Sequence, residues 1–244
     1  MSPKRLQGKA ALITGASRGI GLGVAKAFAR EGAAVFLCAR GEGALREVAR
    51  ELEATGAAVG YRAADVSDPG DAEILVASAL ERFPDLEVLV NNASILGKRA
   101  PIAELDVATW DEVLRVNTSS LFYVTRPLIP HLVSRGRGSI INVSSSVGRK
   151  GKANWGAYAV SKFGLEGFTQ VLAAELEPSG VRVNSVNPGA TRTGMRAEAY
   201  PEEDPLSLPS PEDIAEIFVH LASDESRSVT GQTFEARDYL KARK

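Results

Sequence analysis

Lys9-Ala-Ala-Leu-Ile-Thr14-Gly15-Ala-Ser-Arg-Gly19-Ile-Gly21 decides the fold of this chain. Lys9 to Thr14 is a short apolar run with strand character. Beyond the glycines, Ile20, Val24 and Phe28 recur at helical spacing. The order is strand, glycine loop, helix. Such a loop aims backbone N–H groups and the positive end of a helix dipole at a phosphate. Gly15 permits a tight turn, and Gly19 and Gly21 let backbone or a pyrophosphate approach closely. A bare glycine-rich turn is the competing reading; the strand before and the helix after favour a nucleotide site.

Outward from this unit the chain alternates. Ala34–Cys38 reads as a second strand, 42–55 as a helix ending near Gly56, and Ala58–Ala63 as a weaker third strand. Residues 70–82 are helical and stop before Pro84. Leu86–Val90 is a strand, followed by two helical stretches from about 106 to 134. Ser139–Ser144 is a strand, 156–177 a long helix, Val181–Val186 a strand, 211–223 a helix and Gln232–Glu235 a short last strand. This rhythm predicts an α/β fold, a doubly wound parallel sheet of about seven strands with helices on both faces. Ligands then bind beyond the C-terminal strand ends, where the strand order reverses. A length of 244 residues suits one domain spanning 1–244. Residues 194–210, acidic and interrupted by Pro201, Pro205 and Pro209, read as an irregular, lid-like substrate segment.

Composition excludes several classes. Apolar residues at 44% and charged residues at 24% describe an ordinary globule. A net charge of −1 gives no general attraction for nucleic acid or anionic membrane. No apolar run approaches the ~20 residues of a membrane span, and no secretory h-region opens the chain. Cys38 is the one cysteine; it suits a reducing cytoplasm and reads as a packing residue. With His131 and His220 as the two histidines, no metal cluster is expected.

Tyr158-Ala-Val-Ser-Lys162 carries the chemistry. Positions i and i+4 share one helix face, so a lysine ammonium lies beside a phenol. A free tyrosine titrates near pH ~10, and a close cation lowers that value. Tyr158 is thereby expected to serve as acid or base near neutrality. An exposed helical pair is the bland alternative. Ser145, at a strand end before the helix, is placed to hold a substrate oxygen.

Seven motifs now stand in order: Thr14–Gly21, Asp65-Val66, Asn91-Asn92-Ala93, Asn117, Ser145, Tyr158-x-x-x-Lys162 and Asn187-Pro188-Gly189. Over residues 6–235 the chain resembles the short-chain dehydrogenase/reductase family. Ser144–Tyr158 and Pro188–Arg196 resemble most a little-characterised bacterial branch of oxidoreductases. The resemblance implies a Rossmann fold, an NADP(H) cofactor and a carbonyl/secondary-alcohol pair as small-molecule substrate. It implies a homodimer or homotetramer, although Phe234-Glu-Ala-Arg-Asp-Tyr replaces the family's Asp-Gly-Gly near the C-terminal contact. It makes Tyr158 the acid/base. Lys162 would depress its pKa and bond the nicotinamide ribose, Ser145 would hold the substrate oxygen, and Asn117 would fix a proton-relaying water. Ser144, Ser145 and Ser146 are adjacent; the family's serine stands three before a glycine, as Ser145 does before Gly148. Trp155 either packs or walls the substrate pocket.

The cofactor set implied by the resemblance is Gly15, Ser17, Arg18, Gly19, Ile20, Gly21, Arg40, Asp65, Val66, Asn91, Ala93, Tyr158, Lys162, Pro188, Gly189, Thr191 and Thr193. Asp65 and the two threonines have capping or turn roles as alternatives. Ser94 stands where the family has glycine; it either narrows the nicotinamide site or satisfies a turn. An acid ending the second strand would bond the NAD ribose. Here Ala39 and Arg40 stand there, with Arg18 in the glycine loop, a pattern that predicts NADPH over NADH. Arg149, Lys150 and Lys152 form a basic run that is either a solvated loop or a selector of anionic substrates. A 3-oxoacyl-thioester reductase is the second enzyme reading, weakened by Pro178-Ser179 before Gly180. A non-catalytic NADP(H)-binding regulator is the reading from another class, weakened by the retention of all four catalytic positions.

Overall fold

The structure, a computed structural model, describes residues 4–242. Seven strands make the sheet; the inner ones are covered on both faces and buried, while the two edge strands are only partly so. They are β1 (Ala10–Thr14), β2 (Ala34–Ala39), β3 (Val59–Ala63), β4 (Leu86–Asn91), β5 (Gly138–Val143), β6 (Val181–Asn187) and β7 (Thr233–Glu235). Their order is β3-β2-β1-β4-β5-β6-β7, and every pairing is parallel. The order reverses between β1 and β4, so the crevice beyond Thr14 and Asn91 is the place for a ligand.

The helices are α1 (Gly19–Arg30), α2 (Glu42–Glu53), α3 (Pro69–Arg82), α4 (Val107–Leu114), α5 (Ser120–Ser134), α6 (Gly156–Leu176), α7 (Gly194–Ala199), α8 (Glu216–Ala222) and α9 (Ala236–Ala242). Ala11, Ile13, Val35 and Leu37 point to one side of the sheet, where Phe28, Leu45 and Phe218 of α1, α2 and α8 close a core. Leu12, Phe36 and Cys38 point to the other side, against Leu75, Leu128 and Leu172 of α3, α5 and α6. Cys38 is thus a packing residue, and burial pushes its thiol up to about 12.

Three expectations are corrected. Residues 194–210 are not irregular throughout: Thr193 caps α7 by accepting from the Arg196 N–H at 3.2 Å. The expected helix at 211–223 begins only at Glu216. Before it, the Asp213 carboxylate accepts from the N–H and hydroxyl of Ser210, holding a turn instead. The chain after Glu235 continues as α9, which the strand-like pattern of 232–235 did not announce. Between α4 and α5 the helix widens into a π turn, Arg115–Ser119, that carries Asn117.

Candidate active site

The glycine loop is folded by its own neighbours. Thr14 Oγ1 accepts from the N–H groups of Asn92 (3.0 Å) and Ala93 (3.1 Å). The Asn92 amide donates to the carbonyls of Thr14 and Gly15 at 2.9 and 3.1 Å. A Cβ on Gly21 would lie 2.4 Å from the Gly15 oxygen, so the close approach reserved there is backbone on backbone. Gly15 has φ +64° and Gly19 φ +58°, conformations that disfavour a side chain. No side chain caps α1, so its dipole faces outward from the loop. The N–H of Ala16 donates to the carbonyl of Cys38 at 2.9 Å, tying the loop to the end of β2. Arg18 and Arg40 thus follow two backbone segments that are bonded to each other. Both are exposed, and neither pairs with a carboxylate among the described residues.

On the far side of the crevice, the three adjacent serines separate. Ser144 turns inward and donates to the Glu166 carboxylate. Ser145, just past β5, accepts from the N–H of Val147 and lies beside the Tyr158 phenol, which its hydroxyl pulls downward. Gly148 lets this turn lie on α6: a Cβ there would meet the Lys162 carbonyl at 2.8 Å. Tyr158 stands in the first turn of α6, flanked by the hydroxyls of Ser145 and Ser94. Lys162 is 2% exposed, its ammonium donating to the Val143 carbonyl at 2.8 Å and lying 5.6 Å from the Tyr158 ring centre.

The electrostatics differ from the spacing argument. Burial pushes the Tyr158 phenol up to about 12, with the Ser145 and Ser94 hydroxyls pulling the other way. The lowering expected from Lys162 is absent: burial outweighs the two hydroxyls, and Lys162 is not among the groups acting on the phenol. Burial also brings Lys162 down to about 8, opposed by the Glu166 carboxylate. Glu166 lies one turn beyond Lys162 and is buried, accepting from Ser144, from Ser185 at 2.8 Å and from Thr233 at 2.9 Å. Sequence reasoning passed over it; the repeated i+4 spacing Tyr158, Lys162, Glu166 was the available signal.

Other expected residues are engaged locally. Asn117 clamps the loop after β4, donating to the Ile95 carbonyl at 2.9 Å and accepting from the Ile95 N–H at 2.8 Å; it also donates to Ser161 at 3.1 Å. Asn91 is buried and donates to Thr125 and Asn142 inside the sheet. Asp65 accepts from the N–H and hydroxyl of Ser67, the turn role weighed for it. Val66 packs into the core and Ala93 packs against it. Gly189, after Pro188, has φ +68°. Thr191 donates to the Pro188 carbonyl at 3.2 Å, and Thr193 caps α7. Ser17 and Ile20 lie half-buried in the glycine loop.

Trp155 packs beside Tyr158. It is 8% exposed, and its ring centre lies 5.7 Å from that of Tyr158 and 6.0 Å from that of Tyr200. Two of the buried polar atoms that lack a hydrogen-bond partner are here, Ser94 Oγ and Trp155 Nε1. The Ser94 hydroxyl lies close enough to pull on the Tyr158 phenol yet beyond ordinary hydrogen-bond length. Buried donors of this kind usually have partners, so these two atoms stand out at this end of the crevice. No grouping of His, Cys, Asp and Glu among the described residues suits a metal ion.

Residues 9–204 match the family described as short chain dehydrogenase. The chain belongs to that family. It is 43% identical over 229 residues to YciK of Escherichia coli K12, an uncharacterized oxidoreductase, spanning 93% of this chain and 90% of that one. It is 38% identical over 237 residues to the 3-oxoacyl-[acyl-carrier-protein] reductase FabG of Thermotoga maritima, spanning 93% of this chain and 96% of that one. A solved short chain dehydrogenase of Escherichia coli CFT073, complexed with NADPH, superposes with a TM-score of 0.93 at 42% identity, over 97% of this chain and all of that one. Within the short chain dehydrogenases the fold is therefore that of oxidoreductases, and no helix among the described residues is long and apolar enough to cross a membrane.

Proposed function

We propose that this protein interconverts a carbonyl compound and a secondary alcohol using NADP(H), with Tyr158 as the proton donor and acceptor. The observation that carries this reading is the half-buried Tyr158, its phenol beside the Ser145 and Ser94 hydroxyls, backed by the buried ammonium of Lys162. A phenol titrating at about 12 keeps its proton throughout the neutral range. Its Oη–H is then available to a carbonyl oxygen, while Ser145 orients that oxygen by a second hydrogen bond. In the reverse direction the same Oη takes the alcohol proton, and a protonated Lys162 stabilises the phenolate.

The residues present fit the cofactor. The uncapped N-terminus of α1 suits a pyrophosphate. Arg18 and Arg40, exposed and without a carboxylate partner, with Ala39 ending β2 where an acid would repel it, suit a 2′-phosphate. NADP(H), when bound, supplies or accepts the hydride. Water exclusion falls to Trp155, Leu96, Val147 and Tyr200, which pack together beside Tyr158.

A panel of ketones and secondary alcohols assayed with NADPH and NADH tests the reading. Tyr158→Phe should lower kcat/KM by about 10²–10⁴ with little change in NADPH affinity. Near-normal turnover in that variant would remove Tyr158 from the chemistry. The thioester reductase remains the second reading, supported by the FabG relative. Exposed Phe122 on α5, with Val160, Phe163 and Val171 along one face of α6, supports a homo-oligomer. Light scattering that returns a monomer mass would contradict that assembly.

A further inference from the structure

Three chain segments bring cations to one pair of aromatic rings beside Tyr158. Arg99, from the loop after β4, lies 4.8 Å over the Trp155 ring and 5.1 Å over the Tyr200 ring. Lys152, from the loop between Ser145 and α6, lies 5.2 Å over Tyr200 and donates to its hydroxyl at 2.7 Å. Arg196, on α7, stacks on Tyr200 at 3.8 Å. Among the described residues one carboxylate answers them: Glu203 forks onto Arg196 at 2.6 and 2.7 Å. Arg99 donates to the Ala199 carbonyl and pairs with no acid, and Lys152 pairs with none. The basic run thereby divides. Arg149 is neutralised by Glu235, whereas Lys152 is turned toward the pocket wall.

We propose that this rim selects carbonyl substrates bearing an anionic group, a carboxylate or a phosphate, bound by Arg99 and Lys152 with the Trp155 indole N–H. The inference rests on the oxidoreductase reading of the Tyr158 site and names its substrate class. Trp155 is the second, independent observation: it is more than nine-tenths buried, and its Nε1 lacks a partner. The potential is already felt by Tyr200, whose phenol is held below its ordinary value by Lys152 first, with Arg196 and Arg99 contributing. Glu198, Glu202 and Asp204 lie in the same segment, but none bonds a member of the cluster. A guanidinium stacked on two rings keeps its in-plane N–H groups, and those of Arg99 not donating to Ala199 remain for an anion. The anion would sit one aromatic ring away from the reacting oxygen, which suits a short keto acid or its phosphorylated counterpart.

The test uses levulinate, methyl levulinate and the phosphonate analogue of levulinate. Each is assayed for reduction with NADPH and titrated calorimetrically into the protein saturated with NADP⁺. Levulinate or the phosphonate should exceed the ester by about tenfold or more in kcat/KM and in affinity, as one charge-assisted contact supplies, and the ratio should shrink with added salt. Which anion leads distinguishes carboxylate from phosphate. Arg99→Gln and Lys152→Gln should each bring the anion-to-ester ratio toward one; a contact that merely latches α7 would change all three compounds alike. An ester bound as well as the anions overturns the inference, as does no saturable binding of either anion, or a ratio untouched in both variants. A carrier-protein thioester that alone responds to Arg99→Gln also overturns it, in favour of a macromolecular partner. If the anions bind selectively but none of the three is reduced, the catalytic reading fails while the anion site stands.

Discussion

Glu166→Gln tests the electrostatic account most sharply. Lys162 titrates at about 8, and Glu166 is the charge that holds it that high against burial. Tyr158, at about 12, keeps its proton across the working range. In the reduction direction the group that changes state between neutrality and mild alkali is therefore Lys162. A lysine with its ordinary pKa of about 10.4 would leave the rate flat to pH ~10. Here the ammonium is present below about 8 and is lost as pH rises through it. Each further pH unit removes roughly tenfold of the protonated form, so kcat/KM for limiting NADPH, which reports the free protein, should fall about tenfold per unit. Replacing Glu166 by glutamine removes the attraction and keeps the volume, so the fall should begin at lower pH. Serine hydroxyls can reorient around the amide, as Ser144 and Ser185 both can. The assay is the pH dependence of NADPH oxidation for both proteins, with thermal melting to show that the variant is folded. A parent profile flat to pH ~10, or a Glu166→Gln limb unmoved or moved upward, refutes the reasoning.

Three further outcomes are expected. Gly21→Ala would put a methyl group 2.4 Å from the Gly15 oxygen and 2.6 Å from Asn92 Nδ2. Overpacking of this kind costs about 1–3 kcal/mol, so the melting temperature should drop by several degrees and NADPH binding should weaken; an unchanged melt would contradict the packing. The unmodified protein should prefer NADPH over NADH by roughly 10²-fold, two charge-assisted contacts at ~1.4 kcal/mol per tenfold. Ala39→Asp with Arg40→Leu should reduce or reverse that preference, and equal kcat/KM for the two cofactors in the parent would sink it. Ser94→Ala removes one of the two hydroxyls that pull the Tyr158 phenol down. The rise of alcohol oxidation with pH should therefore move to higher pH, and an unmoved rise would assign Ser94 to packing alone.

Much of the fold was legible because the chain repeats one local pattern. Each buried parallel strand reads as an apolar run, and each is followed by a helix whose apolar face it needs. Legibility failed where local hydrogen bonds overrode that pattern. The Ser210–Asp213 turn delayed α8, and the Thr193 cap started α7 inside a stretch that its prolines made look irregular. In the site, i+4 spacing put Lys162 beside Tyr158, where the structure has it, while Ser145 was singled out from Ser144 and Ser146 only by the family's spacing to a glycine. Spacing carries no dielectric, however. That the phenol rises rather than falls follows from burial, which only the packed structure supplies.

Glu166 shows why the rest could not be read from the chain in order. Its partners come from the end of β5, from β6 and from β7, segments far apart in sequence that meet only through the sheet. β7 is three residues long and lies at the edge, where a strand contributes little ladder energy of its own. Its side chains nevertheless reach the centre. Thr233 donates to Glu166, and Glu235 accepts from Asn187 at 2.7 Å and neutralises Arg149. The Phe234-Glu-Ala tail that departs from the family pattern thus has work within the subunit. By occupying Arg149 it leaves Lys152 as the cation of that loop that reaches the Trp155–Tyr200 wall. The same strand supports the carboxylate that keeps Lys162 charged. A change at the far end of the chain therefore reaches both the Glu166 carboxylate beside Lys162 and the loop that carries Lys152.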